Sequence, residues 1–237
     1  MLKRIKIGYD DNLGLPTDFA ETIGCDIVAF HDLDKMLQSY NAKELSAMFL
    51  PVGALPYLKN YNILSQSILS LGNKITLKTD FVSALPISIA DIPQKMIGRV
   101  NQYCTTSFWA PLICFMSYFP QGTELHFINT DGFQDMLHKV AEKKIDCAMV
   151  WDIILHQNAK DANQVKILFC KDDLPSPVII GHEGFDTAIQ EKINQFRTTD
   201  KDAFFKGFQA VNQDMINSFL KDIEKVTNYF SLSTNDS

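Results

Sequence analysis

Long apolar segments are missing from this chain of 237 residues. No apolar run approaches the roughly 18 residues that a membrane-spanning helix needs, so we expect no membrane span. The opening residues, "MLKRIKIGYD", also lack the apolar core of roughly 7–15 residues that a secretory signal contains. We therefore expect a cytoplasmic protein, with a periplasmic location as the alternative if a signal was removed before this numbering begins.

Positive charge is also scarce. The formal net charge is -6 at pH 7, and beyond the basic start at Lys3, Arg4 and Lys6 no cluster of lysine and arginine occurs along the chain. Because non-specific binding to nucleic acid needs a basic face, this composition argues against nucleic acid as a partner.

Motifs of metal binding and catalysis are absent as well. The five cysteines form an odd set with no C-x-x-C pair, so the sequence predicts neither a disulfide framework nor a zinc site. The histidines lack H-x-x-x-H or H-E-x-x-H spacing, and no G-x-S-x-G, Walker or dinucleotide-binding pattern occurs. We expect no metal and no cofactor, and five unpaired thiols favour a reducing compartment.

The sequence does contain a repeated alternation of strand-like and helix-like segments. The first part has the order β-α-β-α-β, with strands predicted at 5–9, 25–30 and 47–53. After a proline-rich stretch a second set begins, with strands predicted at about 97–101, 124–129 and 145–151 and helices at about 106–118 and 132–144. This order is typical of parallel sheets covered by helices.

The alternation predicts an α/β protein of two lobes, with mixed sheets flanked by helices. We assign residues 1–84 plus 171–237 to a discontinuous lobe I and residues 85–170 to an inserted lobe II. Within lobe I we predict a hairpin around Gly72-Asn73 and three helices at about 185–197, 200–210 and 212–230. A cleft between two lobes is a preferred location for a small-molecule site. We expect a monomer.

The segment "NQYCTTSFWAPL" offers the clearest candidate site. Cys104, Thr105 and Thr106 lie where a strand is predicted to end and a helix to begin, and Ser107 follows directly. Hydroxyls at this place are typical of an ordinary N-cap, but a helix N-terminus also binds anions. Pro111 lies too deep in the predicted helix to be its first residue, so we expect it to distort the helix.

Several segments together resemble one known family. "CTTSFWAP" looks like the S-T-S-G-x-x-x-P segment of the phosphonate- and phosphite-binding proteins of ABC importers, which have the type II periplasmic-binding-protein fold. "SAMFLPVGALPYL", "IADIPQKMIGRVNQ" and "GFQDMLHKVAEKKIDCAMVWDII" resemble, in the same order, the segments that surround this motif in the family. The resemblance extends from about residue 3 to about residue 195.

In that family the S-T-S hydroxyls and the helix N–H groups hold the phosphonate oxygens. The resemblance implies this role for Cys104, Thr105 and Thr106. Cys104 departs from the pattern because a thiol donates weakly, and Ser107 stands where the family has a glycine. Ser107 either supplies the donor that Cys104 lacks or blocks the site. Gln134 stands where the family has a carboxylate, which puts recognition of an aminoalkyl group in doubt.

Other candidate ligand contacts lie at strand ends, where ligands bind in α/β folds. They are Tyr9, Asp10, Asn129, Thr130, Trp151 and Asp152. In the resembled family an aromatic residue of the first lobe contacts the ligand and acidic residues of the second lobe take its amino group. The resemblance implies these roles for Tyr9 and Asp152. Packing remains the alternative for Tyr9 and Trp151, and a solvated turn remains the alternative for Asp10 and Asp11.

The resemblance implies a non-catalytic protein that binds a small oxyanion-bearing solute, phosphonate- or phosphate-like, with an ABC permease as its partner. The alternative is a cytoplasmic enzyme on the same scaffold, similar to those of menaquinone or thiamine-pyrimidine synthesis. In that case Cys104, near a helix N-terminus, is the candidate nucleophile.

Overall fold

The computed structural model describes residues 5–234, which divide into two compact units. The first unit comprises the chain up to Thr76 together with Pro175–Met215. The second comprises Leu77–Leu174 and the chain from Ile216 onward. The chain therefore passes between the units three times. None of the helices described for residues 5–234 is long and apolar enough to cross a membrane.

The first unit is built on one mixed six-stranded sheet. Its strands are β1 (Lys6–Asp10), β2 (Asp26–Phe30), β3 (Ala47–Leu50), β4 (Asn62–Leu69), β10 (Val178–Gly181) and β11 (Phe205–Gln209). They lie in the order β11-β4-β10-β3-β1-β2. Strand β1 pairs in parallel with β2 and β3, whereas β10 runs antiparallel to β3 and β4. The parallel part confirms the predicted β-α-β-α-β order.

The helices of this unit begin and end where local signals indicate. They are α1 (Phe19–Ile23), α2 (Leu33–Asn41) and α7 (Thr187–Gln195), and a 3₁₀ helix spans Val52–Tyr57. Gly24, with φ 78°, ends α1 in the left-handed conformation that glycine adopts readily. The Asp32 carboxylate accepts a hydrogen bond from the Lys35 backbone N–H and caps α2.

The second unit has its own six-stranded sheet. Its strands are β5 (Thr76–Ser83), β6 (Met96–Arg99), β7 (Glu124–Asn129), β8 (Cys147–Trp151), β9 (Lys166–Pro175) and β12 (Ser231–Thr234). They lie in the order β12-β7-β6-β8-β5-β9. Strands β12, β7, β6 and β8 are parallel neighbours, so the carboxyl ends of β6, β7 and β8 meet at one edge.

Helices of several kinds accompany this second sheet. They are a 3₁₀ helix (Ile89–Gln94), a π-helical turn (Thr105–Trp109), α3 (Ala110–Phe115), α4 (Gly132–Ala141), α5 (Asp152–Gln157), α6 (Ala159–Ala162) and α8 (Gln213–Val226). In α4 the residues Phe133, Met136, Leu137 and Val140 form a buried apolar face.

The unit boundaries differ from those assigned from the sequence. We assigned residues 77–84, 171–174 and 216–237 to lobe I, but the structure places 77–84, 171–174 and the described residues 216–234 in the second unit. The reason is strand pairing: β5 pairs with β8 and β12 pairs with β7 in the second sheet. We assigned the boundary between the lobes to the proline-rich stretch, but that stretch lies after the first passage between the units. Residues 1–4 and 235–237 lie outside the described residues.

Two local predictions are wrong. The turn at Gly72 and Asn73 exists, with φ of 75° and 53°, but β4 and β5 belong to different sheets and form no hairpin. The helix predicted at about 200–210 is instead strand β11, which pairs with β4 through a register shift between Phe205 and Gly207. Both phenylalanines of β11 pack edge-on against Phe49, with ring centroids 5.3 and 5.5 Å away.

Candidate functional site

The segment after β6 enters a helix through a π-helical turn. Trp109 N donates to Cys104 O, and Ala110 N donates to Thr105 O, so each bond spans five residues. Pro111 carries no N–H, so the series of wide bonds stops there and α3 begins at Ala110. The sequence predicts a distortion at Pro111, and the π turn lies directly before it.

The N-cap of this turn is a thiol. The Cys104 sulfur accepts from the Ser107 backbone N–H at 3.3 Å, so Cys104 and neither threonine caps the helix. Burial raises the pKa of the Cys104 thiol above its ordinary value, although hydrogen bonds from Ser107 and Thr106 oppose this. Because the thiolate is the nucleophilic form, a buried and protonated Cys104 disfavours the enzyme alternative.

Two buried hydroxyls of the segment accept hydrogen bonds from N–H groups. Trp151 Nε1 donates to Thr106 Oγ1 at 2.6 Å, and Val100 N donates to Ser107 Oγ at 3.0 Å. The Trp151 ring also stacks on Phe133, with ring centroids 4.9 Å apart. A hydroxyl that accepts from an N–H group keeps its own proton for donation. Both hydroxyls therefore keep a proton that an oxyanion can accept. In this structure Thr106 Oγ1 also lies 3.4 Å from the Cys104 sulfur, a contact in which either atom can be the donor.

A buried cation lies at the end of β6, in the residue before Val100. Arg99, the last residue of β6, is only 6% exposed, and its guanidinium lies over the rings of Phe108 and Phe127 at 5.0 and 5.6 Å. Its Nε donates to Asn129 Oδ1 at 2.8 Å. Positive charge one residue from Val100 favours an anion at the 104–107 segment. The sequence analysis missed Arg99, although a lone arginine at the end of an apolar strand was visible.

Asn129 and Thr130 support the end of β6. Asn129 accepts from Arg99, and Thr130 donates to the Arg99 carbonyl oxygen from both its backbone N (2.9 Å) and its hydroxyl (3.0 Å). Asn129 and Thr130 therefore help to position Arg99, and the Thr130 hydroxyl also lies 3.4 Å from Gly132 O.

Acidic residues lie near Trp151 in the same unit. Asp152, the first residue of α5, accepts from the Ile153 backbone N–H at 2.8 Å. Asp80 on β5 is 4% exposed, and its pKa is raised mainly by burial and also by the charges of Asp152 and Asp172, while Lys78 lowers it. The sequence analysis missed Asp80, whose signal was a carboxylate inside the strand pattern "KTDFV".

Tyr9 and Asp10 lie at the carboxyl end of β1 in the first unit. Asp10 is 2% exposed and accepts from Asn12 N and Nδ2 at 3.0 and 3.2 Å. Burial raises the pKa of Asp10 to about 6 against the opposing effect of these bonds. Asp11 is exposed and pairs with His31. The solvated-turn alternative thus describes Asp11 but not Asp10.

Tyr9 is half-buried. Its pKa is raised first by burial and second by the charge of Asp11. Of the ten predicted site residues, eight lie in the second unit, while Tyr9 and Asp10 belong to the first unit. Contacts join Trp151 to Thr106 in the π turn, and Asn129 and Thr130 to the end of β6.

A cavity of about 770 Å³ lies elsewhere in the first unit. Its lining includes residues that directly precede the parallel strands, such as Ile5 and Ser46, so it lies at the opposite edge of the sheet from Tyr9 and Asp10. Glu183 and Asp186 line it together with Lys43, so its charge does not favour an anion. None of the predicted site residues lines this cavity.

Metal-binding clusters are not found among residues 5–234, and all five cysteines are free. No protein-family model and no curated protein matches the chain in sequence.

Solved structures do match the fold over nearly the whole chain. XAC2383 from Xanthomonas citri, in a structure bound to ATP, has a TM-score of 0.75 at 12% identity over 95% of this chain and 98% of that one. A binding-protein component of an ABC phosphonate transporter from Pseudomonas aeruginosa, PA3383, has a TM-score of 0.74 at 13% identity over 95% and 87%. PhnD1 from Prochlorococcus marinus, in complex with methylphosphonate, has a TM-score of 0.70 at 11% identity over 94% and 98%. At these identities the likeness shows the fold alone, and the fold is that of a two-lobed type II periplasmic binding protein.

Proposed function

We propose that this protein binds a small oxyanion-bearing solute, phosphonate- or phosphate-like, at the segment 104–107 without chemical turnover. The observation that carries the proposal is the pair of hydroxyls on Thr106 and Ser107. Each accepts from an N–H group and so retains a proton to donate, and Thr106 exchanges its contact with the Cys104 sulfur for the ligand on binding.

The surroundings of these hydroxyls suit an anion for two further reasons. The segment begins a helical stretch, whose first N–H groups carry partial positive charge. Arg99 adds a full positive charge nearby, in a buried place where solvent screens it little. The proposed site therefore combines hydroxyl donors with positive charge from the same unit.

Ser107 is the position where the resembled family has a glycine. Its hydroxyl is held by Val100 N at 3.0 Å, so the side chain is fixed and its proton is the donor that Cys104, a weak donor, supplies poorly. We infer that Ser107 takes over the role that the first serine of the S-T-S motif has in that family.

We also propose an ABC permease as the partner, and we consider which chemical group is attached to the oxyanion. PA3383 is a component of a phosphonate transporter and PhnD1 was solved with methylphosphonate, which supports a phosphonate as the solute. The resemblance in sequence supports an importer. Asp152 and the buried Asp80 favour a solute that carries a cationic group as well. Comparing methylphosphonate with an aminoalkylphosphonate distinguishes the two kinds of solute.

A thermal-shift screen with phosphate, phosphite, methylphosphonate, an aminoalkylphosphonate, sulfonates and carboxylates tests the proposal. We expect at least one of these oxyanions to raise the melting temperature, because a ligand at 100 times its Kd stabilises the folded protein by about 2.7 kcal/mol. The double variant Thr106→Val with Ser107→Ala is expected to lose this shift, since both donors are removed.

Each shift is measured against the same variant without ligand, because the double variant also leaves the N–H groups of Val100 and Trp151 without their acceptors. Thr227→Val serves as the control and is expected to keep the shift. It removes a hydroxyl that donates to Ile223 O in the last turn of α8. A full shift in the double variant, or no shift with any oxyanion in the unmodified protein, contradicts the proposal.

A further inference from the structure

The three passages of the chain between its units start from one place in the first unit. They fall after Thr76, before Pro175 and after Met215. Within one to three residues of each passage, the backbone is hydrogen-bonded to Gln66 or Ser67, two adjacent residues of β4 with no exposed surface.

Gln66 holds the first and third passages with its side-chain amide. Its Nε2 donates to Ile75 O at 3.2 Å and to Met215 Sδ at 3.8 Å. Its Oε1 accepts from Asn212 N at 3.1 Å. Both ends of one amide are therefore used: the nitrogen contacts the first and third connecting segments, and the oxygen contacts the third.

Ser67 holds the second passage. Its hydroxyl and its backbone N–H both donate to Pro177 O, at 2.8 and 2.9 Å, and its carbonyl oxygen accepts from the Ser176 hydroxyl at 2.6 Å. Ser176 N in turn donates to Ile75 O at 3.0 Å, so the first and second passages are also tied to each other.

We propose that Gln66 and Ser67 are a common anchor for the three connections, so that these connections loosen and tighten as one when the protein changes conformation. Buried polar groups whose hydrogen bonds are all made hold one arrangement rigidly, because leaving a partner unsatisfied is costly. The neighbouring Ser65 is equally buried on β4, but it donates to Asn194 Oδ1 and Gln209 O and to no connecting segment. The inference rests on the two-unit fold and is independent of the ligand.

Hydrogen–deuterium exchange read by mass spectrometry tests this anchor in the full chain. In the unmodified protein, peptides covering 74–78, 173–178 and 211–217 are expected to respond together to low concentrations of urea, as one opening unit. Gln66→Met keeps the volume but removes the amide. We expect it to speed exchange about tenfold at 74–78 and 211–217, while peptides from β1 to β3 stay unchanged.

Ser65→Ala is the matched control, and it is expected to change exchange only in α7 and β11. If Gln66→Met does not fold, Ser67→Ala still tests the proposal, because it removes only one hydroxyl. We expect it to speed exchange at 173–178. The proposal is overturned if the three peptides respond to urea independently, if the Gln66 and Ser67 variants leave them unchanged, or if Ser65→Ala speeds them equally.

Discussion

Replacing Asp10 with asparagine is expected to stabilise the folded protein by about 3 kcal/mol at about pH 7.5. Burial raises the pKa of this carboxyl from 3.8 to about 6, so the ionised form is disfavoured in the folded state. Each tenfold change in proton affinity corresponds to about 1.36 kcal/mol. The asparagine oxygen can still accept from Asn12, and it carries no charge that burial penalises.

The effect of Asp10→Asn has a defined pH dependence. The folded state binds the proton more tightly than the unfolded state, so the stability of the unmodified protein falls as the pH rises from about 4 through about 6. The gain from the substitution is therefore expected to be full above pH 7 and small below about pH 4. Urea unfolding of both proteins across this range measures it.

Asp11→Asn is the control for this prediction, because Asp11 is exposed and adjacent in sequence. It is expected to change stability little at any pH. Two results contradict the claim that burial penalises the ionised Asp10 carboxylate: a destabilising effect of Asp10→Asn at neutral pH, or a gain in stability that does not depend on pH. A carboxylate kept buried at this cost is typical of a functional position.

Gly207→Ala is expected to destabilise the protein by about 3 kcal/mol. A Cβ atom at this position lies 2.1 Å from the backbone oxygen of Phe196 and 2.9 Å from Arg197 Cδ. Phe196 precedes Arg197, which forms a β-bridge with Gly207, and the Phe196 oxygen accepts from Phe208 N. The oxygen therefore cannot move away without breaking this pairing. Unfolding in guanidinium measures the loss.

The sign of this effect separates the two assignments of residues 200–210. In the helix that the sequence predicts, glycine to alanine is a gain of about 1 kcal/mol, whereas in strand β11 it is a large loss. Gly14→Ala is the control: φ is 68° there and no atom lies within 4 Å of the added carbon. It is expected to cost only the left-handed backbone penalty of about 1 kcal/mol. A stabilised Gly207→Ala protein would contradict the position of β11.

The fold was predictable where its signals are local. Strands β1 to β3 and β6 to β8 are apolar runs bounded by helix caps such as Asp32 and Gly24, and their order implies parallel pairing. The pairing of β5 was not predictable in this way, because the turn at Gly72 and Asn73 has the residues of a hairpin although its flanking strands enter different sheets. Pairing over a long sequence separation has no local signature.

The hydroxyl residues of the candidate site were predictable from the sequence, but its buried charged residues were not. The threonines and Ser107 were visible as polar residues before a helix, and the structure joins Thr106 to Trp151, another predicted residue. Arg99 and Asp80 were missed because a charged residue within a strand pattern is usually taken to be exposed, and only the three-dimensional structure reveals their burial.

The central claim is that Thr106 and Ser107 donate to an oxyanion, and a crystal structure grown with saturating methylphosphonate tests it most directly. Our account predicts phosphonate oxygens within about 2.5–3.2 Å of Thr106 Oγ1 and Ser107 Oγ, with Trp151 Nε1 and Val100 N still bonded to those hydroxyls. A phosphonate bound elsewhere, with both hydroxyls contacting only protein atoms, would contradict it.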